Sequence, residues 1–277
     1  MNVTTAVIPV AGYGTRMLPI TKAIEKCMIP VVNRPIIDYV VQDCITAGVT
    51  NIIFVIGQGS TQLQAYYGRN AQLEEHLRAH GKEDTLAMVQ PPANVTFRYI
   101  EQPRDGAYGT AIPVALALPF LPPDQPVLVM GGDDFIWHSD GTSEVKRLLA
   151  GVRTNDDCAM MAAEVPIEEV TKYGVIAKNA QGHFSHIVEK PSVQEAPSNL
   201  INLAKYVLHS SVLQRVAEAA AQANKHHGEC GIIEPINEWV AGGGVMRVHL
   251  VEGTYCDGGT LQGWLRSNEI VAGKATV

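Results

Sequence analysis

Thr5-Ala6-Val7-Ile8-Pro9-Val10-Ala11-Gly12-Tyr13-Gly14-Thr15-Arg16-Met17-Leu18-Pro19 runs a short apolar stretch straight into a glycine loop. Thr5–Val10 is too short for a helix and apolar without alternation, so it reads as a strand covered on both faces. Gly12 and Gly14 let the backbone approach a phosphate closely and turn N–H groups toward it. Alone, such a loop is either a phosphate cradle or merely a tight turn. The GxxxxGK[ST] pattern of a Walker A loop is missing. A dinucleotide fingerprint is poor, because Met17 takes the place of its third glycine.

Outward from this stretch, strands and helices alternate. Ile36–Ala47 carries apolar residues at helical spacing and stops at Gly48. Ile52–Ile56, Thr96–Ile100 and Val127–Met130 read as strands, with an Ala-rich helix over Thr110–Leu118. This alternation predicts an α/β fold with a Rossmann-like, mixed but mainly parallel sheet flanked by helices. After Asp157 the pattern loosens into strands at Cys158–Glu164, Val175–Ala177, His186–Val188, Lys205–Leu208 and Met246–Val251, before a helix at Leu261–Val271. There is no repeat, low-complexity tract or linker. Residues 1–277 are therefore expected to form a single domain sharing one sheet, with a first part of about 1–157 and a second of about 158–277. Tyr67–Ala93 is polar, helix-prone and ends in Pro91-Pro92, which marks an insertion: a solvated helical hairpin, an active-site lid or an oligomer contact.

Composition narrows the function class. A chain of this length removes roughly 75% of its unfolded surface from water, so it needs no disulfide or structural metal to fold. The net charge of −7 argues against a nucleic-acid partner. The five cysteines are scattered without a CxxC pair, which fits a reducing, cytoplasmic location. No signal peptide and no membrane span are expected.

The glycine loop continues into a longer pattern. Lys22 and Lys26 follow it, then Met28, Pro30 and Asn33-Arg34-Pro35, giving GxGTRMxPxTKAIxKxMxPxxxxP. Further on stand Gln102 with the glycines Gly106 and Gly109, Gly131-Gly132-Asp133-Asp134, Tyr173-Gly174-Val175, Glu189-Lys190-Pro191 and Cys256-Asp257-Gly258-Gly259. Taken together, in this order, these motifs resemble the nucleotide-sugar pyrophosphorylase family over nearly the whole chain, and TKAI resembles its bacterial uridylyltransferase branch.

The resemblance implies uridylyl transfer from UTP to glucose 1-phosphate, giving UDP-glucose and pyrophosphate. Ala11, Gly12, Gly14 and Thr15 would surround the triphosphate, with Arg16 and Lys26 as catalytic residues. Bidentate Arg16 suits the leaving pyrophosphate, and the compact charge of Lys26 suits the α-phosphate. Gln102, Gly106 and Gly109 would read the base. A glutamine amide both donates and accepts, so it matches uracil and thymine equally. Asp133 and Asp257 would hold Mg²⁺, which favours one or two carboxylates plus phosphate oxygens and water; Asp134 competes for the first of these places. Gly174, Glu189, Lys190 and Glu229 would bind the sugar phosphate. A homodimer or homotetramer is expected.

Three departures stand out. Glu25 and Cys27 replace the proline and glutamate that the branch carries around the lysine. Between Gly228 and Pro235, Ile233-Glu234 stands where Thr-Asp is expected, which leaves the sugar open. Alternatives are another sugar 1-phosphate, dTTP in place of UTP, or a catalytically weak regulatory homologue.

Overall fold

A computed structural model describes residues 3–152 and 158–274. In chain order the strands are β1 (Thr5–Pro9), β2 (Pro30–Val31), β3 (Arg34–Pro35), β4 (Asn51–Gly57), β5 (Thr96–Gln102), β6 (Val127–Met130), β7 (Asp134–Trp137), β8 (Cys158–Glu164), β9 (Gly174–Lys178), β10 (Phe184–Glu189), β11 (Leu200–Leu208), β12 (Met246–Leu250) and β13 (Thr254–Asp257). The helices are α1 (Ile36–Thr46), α2 (Gln62–Tyr67), α3 (Ala71–Ala79), α4 (Glu83–Leu86), α5 (Ala111–Ala117), α6 (Glu144–Ala150), α7 (Ser210–Asn224), α8 (Ile233–Ala241) and α9 (Leu261–Val271).

The α/β expectation holds. One nine-stranded sheet runs β10-β9-β11-β6-β1-β4-β5, and β8 joins β11 to β12. It is parallel from β6 through β1 and β4 to β5 and antiparallel where β11 meets β6, β8 and β9. Ile8, Ile52, Phe54 and Leu128 face a core shared with α1, while Val7, Ile53, Val55 and Val127 face one shared with α5, α7 and α8. A sheet covered on both faces explains why β1, β4 and β6 are apolar runs without alternation. The boundary placed near residue 157 lies outside the described residues.

Two buried charge networks fix the loops at the carboxyl ends of the strands. Asp134, at the start of β7, pairs with Lys205 and accepts a hydrogen bond from the Tyr255 hydroxyl at 3.1 Å. Burial pushes the Asp134 carboxyl above its usual range, against the pull of the Lys205 ammonium. Lys205 itself is only 1% exposed. Glu144, fully buried at the start of α6, is the second centre. It accepts from His138 Nε2 and His249 Nε2, each at 2.7 Å, and from the backbone N–H groups of Glu252 and Gly253 at 3.1 Å. It thereby ties the exit of β7 and the end of β12 to the turn entering β13.

The Tyr67–Ala93 insertion folds as α3 and α4, anchored by buried Leu77 and by Glu74, which Arg69 and Arg78 neutralise. All five cysteines are buried. Among the described residues no helix is long and apolar enough to cross a membrane.

Truncating Lys205 to alanine leaves Asp134 buried without its partner, a loss of about 3–5 kcal/mol when one half of a buried pair is removed. Urea denaturation of Lys205→Ala is expected to show that loss; an unshifted midpoint would mean Asp134 does not depend on Lys205.

Glu144 titrates at about 2 instead of 4.5: burial pushes it up, and the hydrogen bonds from His249, Gly253 and His138 outweigh that push. Because the folded value lies below the unfolded one, this carboxylate's stabilisation is complete above pH 4.5 and disappears as pH falls toward 2. Glu144→Gln is expected to be less stable at neutral pH and to show a shallower acid limb in chemical denaturation; an identical limb would assign acid sensitivity elsewhere.

Candidate active site

The lysine loop packs directly on the phosphate loop. Gly14 has φ 63, and a Cβ there would stand 2.9 Å from Thr21 Cγ2 and 3.0 Å from Lys26 Cβ, so only glycine lets the two loops meet. The Thr21 hydroxyl donates to the Gly14 carbonyl at 2.9 Å. Lys26 begins a 3-10 turn over Lys26–Met28, pinned from below by buried Cys27. From the side, the Gln62 amide accepts from the Glu25 N–H and donates to the Ala23 carbonyl, both at 3.0 Å. The Ser60 hydroxyl donates to Glu25 Oε1, so Glu25 faces the turn after β4. Ala11, Gly12, Tyr13, Lys22, Glu25, Lys26, Ser60 and Arg104 line one cleft of about 230 Å³. Gly12 has open space where a side chain would be, and Thr15 and Arg16 project from an exposed turn.

Three charged groups converge at the end of that loop. Lys26 Nζ forms an ion pair with Asp133 Oδ2. A Cβ on Gly259 would be 3.1 Å from Lys26 Nζ, 2.9 Å from Asp257 Oδ1 and 3.6 Å from Asp133 Oδ2, which puts both carboxylates and the ammonium around one point. Asp257 is fixed by the Gly259 N–H and the Thr260 hydroxyl, each donating at 2.7 Å. Burial alone would raise the Asp133 carboxyl, but the Lys26 ammonium, with Lys205 behind it, holds it below the usual carboxylate range. Of the two adjacent aspartates, Asp134 is consumed by Lys205 and Tyr255, while Asp133 stays 45% exposed at its side chain. Among the described residues no three His, Cys, Asp or Glu side chains form a preformed metal cage. Two hard oxygen donors at an open cleft match instead a cation that completes its shell from substrate and water.

The remaining candidates fall into two groups. Gly174 and Glu189 are paired across β9 and β10, and a Cβ on Gly174 would be 2.8 Å from Glu189 Oε1, so the carboxylate lies over the glycine. Lys190 turns out of β10 with φ 46, and its N–H donates to the Tyr173 carbonyl at 2.9 Å. Tyr173 is close enough to Asp257, and Tyr206 close enough to Glu189 and Asp134, to feel those charges, which links this group to the carboxylate pair. The register Ile201 opposite Val175 sets Asn202 beside Gly174, with its Nδ2 donating to the Tyr206 hydroxyl at 2.7 Å.

In the second group, Gln102 ends β5 and is half-buried. The Ala107 N–H donates to Asn224 Oδ1 at 3.1 Å, which fixes the loop holding Gly106. Gly109 has φ 108 and abuts the Cys230 backbone, where a Cβ would be 2.9 Å from Cys230 N. Tyr108 bridges to Glu229, so the start of the atypical 228–235 segment is stitched to the loop after β5. Gly109 is therefore required by packing. Gln62 and Ser60 carry no signal in the sequence because their partners lie more than 30 residues away, and Asn202 carries none because only the register of β11 brings it beside Gly174.

The description "Nucleotidyl transferase" belongs to the family model that matches residues 5–272. A UTP–glucose-1-phosphate uridylyltransferase from Bacillus subtilis is 35% identical over 216 residues, covering 76% of this chain and 71% of its own. The enzyme of that name from Streptococcus pneumoniae is 30% identical over 244 residues, covering 86% of this chain and 81% of its own. Among solved structures, a UTP-bound UGPase from Acinetobacter baumannii superposes with a TM-score of 0.86 at 27% identity, over 96% of this chain and 92% of its own. With the glycine loop, the lysine and the paired carboxylates in place, the chain belongs to the nucleotidyl transferase family.

Proposed function

We propose that the protein transfers a uridylyl group from UTP to glucose 1-phosphate, releasing pyrophosphate. The observation that carries this is the meeting of Lys26, Asp133 and Asp257 around Gly259, beside the cleft that the glycine loop lines. The relatives named above support the substrates.

A sugar-phosphate oxygen attacks the α-phosphorus of UTP. The bond from that phosphorus to the bridging oxygen breaks, and its electron pair leaves with pyrophosphate. Such a transfer asks the protein for positioning and for neutralisation of negative charge, with little covalent work. Ala11, Gly12, Gly14 and Thr15 line or shape the triphosphate site through backbone N–H groups. Lys26 neutralises the α-phosphate, and Arg16, free on its exposed turn, clamps the leaving pyrophosphate. Gln102 and the loop of Gly106 and Gly109 hold the base. Gly174, Glu189 and Lys190 hold the sugar phosphate, with Glu229 as a further acid for its hydroxyls. Asp133 and Asp257 would hold Mg²⁺, which when bound screens the phosphate oxygens. The two oxygen-donor side chains fit that hard cation.

The chain works as a single domain, a nucleotide part of about 1–157 and a sugar part of about 158–277, in a reducing cytoplasm as a homodimer or homotetramer. The shared sheet supports the single domain, and the buried cysteines support the reducing compartment. A neighbouring reading, another sugar 1-phosphate, is favoured by Ile233-Glu234, which open α8 directly after the strand-like segment stitched to the base loop.

Purified protein with Mg²⁺, glucose 1-phosphate and each nucleoside triphosphate is expected to release pyrophosphate fastest with UTP. A preference for dTTP would overturn the nucleotide assignment, and a preference for another sugar 1-phosphate in the same matrix would overturn the sugar. Lys26→Ala is expected to lower turnover at least ~100-fold, the scale of losing one preorganised transition-state donor. An unchanged rate removes Lys26 from the chemistry.

A further inference from the structure

The Lys26 ammonium stands where Asp133 and Asp257 would receive a cation. It pairs with Asp133 Oδ2, and one point beside Gly259 is 3.1 Å from the ammonium and 2.9 Å from Asp257 Oδ1. The ammonium therefore lies against Asp133, with the Asp257 carboxylate across the same point. Its side chain is only 14% exposed, so it is seated in the cleft and not waving in solvent. Lys205, also buried, is committed to Asp134 and leaves this place to Lys26.

We propose that Lys26 is the resident counter-cation of the metal-free protein, and that a divalent cation must expel it from Asp133 before the lysine can serve the nucleotide. The inference rests on reading Asp133 and Asp257 as metal ligands. Two carboxylates keep their shared space neutral with one divalent ion, or half-compensated with one ammonium, but two cations within about 4 Å repel each other strongly. The flexible four-carbon stem of lysine permits a swing of several ångströms without moving the backbone. That backbone is held on both sides by Gln62, through Ala23 and Glu25, so the exchange is confined to the side chain. Once displaced, the ammonium has the cleft of Ala11, Gly12 and Tyr13 beside it, which Lys26 already lines. The catalytic charge is thus presented to phosphate only after the cation has arrived. A nucleotide without metal meets a lysine already spent on Asp133.

The test is Mn²⁺ binding without nucleotide or turnover, followed by the electron paramagnetic resonance of the free ion. Lys26→Met is expected to bind Mn²⁺ at least ~10-fold more tightly than the unaltered protein, because a competing unit charge is gone. Lys26→Arg, which keeps the charge, is expected to stay within about threefold of the unaltered protein. Adding Asp133→Asn to Lys26→Met should abolish the gain. If Lys26→Met unfolds, as thermal denaturation would show, Lys26→Gln takes its place as a polar, uncharged variant. Equal Mn²⁺ affinity in the neutral variant and the unaltered protein, with Asp133→Asn alone abolishing binding, sinks the counter-cation while leaving the metal ligands standing. Absence of Mn²⁺ binding in every variant, with and without UTP, sinks the ligand assignment and the counter-cation with it.

Discussion

The pairing of β13 with β7 is the constraint on which the site depends. It sets Asp257 opposite Asp134, and the Gly258 N–H donates to the Asp133 carbonyl at 2.9 Å. Residues from the middle and the end of the chain are joined there by backbone hydrogen bonds, so the distance between the two carboxylates does not depend on flexible side chains alone. Glu144 closes the other end of the same two-stranded ribbon by binding His138 and the turn at Glu252 and Gly253. A two-stranded ribbon is marginal by itself. This one is held at both ends by charge and along its length by packing of Phe135 and Cys256 against the core of α1.

Two lysines with opposite duties flank the ribbon. Lys205 is almost fully buried and fixed on Asp134, so its charge is structural and costly to disturb. Lys26 enters from an exposed loop onto a half-exposed Asp133, so its contact is the one that can be exchanged. The adjacent acids are sorted by their partners: Asp134, the first residue of β7, is held in the core by Lys205 and Tyr255, while Asp133, in the bend before the strand, stays partly exposed toward the cleft.

That sorting shows what was legible in the sequence. The strand Val127–Met130 and the two acids after it are local facts, read from an apolar run and its polar end. Which acid serves the site is decided by Lys205 and Tyr255, both more than 70 residues away along the chain. Gln102 and the EKP triplet stand out only through the family resemblance, which places them at strand ends. The sequence pattern marks β11 only over Lys205–Leu208, because polar Asn202 breaks the apolar run before it, yet the strand runs from Leu200 with a left-handed Ala204 inside it. Glu144 carries no signal at all: nothing about a glutamate at a helix start announces two histidines, one just past β7 and one in β12.

The net charge of −7 can now be reconciled with a polyphosphate substrate. Fields fall off within about 10 Å in physiological salt, so distant surface acids scarcely reach a partly enclosed cleft. On the proposed reading, a triphosphate would meet the local set: backbone N–H groups of the glycine loop, Arg16, Lys22, Lys26 and a cation on two carboxylates. Without that cation the same carboxylates would repel the phosphates and hold the lysine down. An acidic site is then an advantage, because it makes productive charge conditional on the metal. A permanently basic cleft would bind any phosphate. Here recognition of phosphate and recognition of the ion become one event, and the exchange at Asp133 is where they meet.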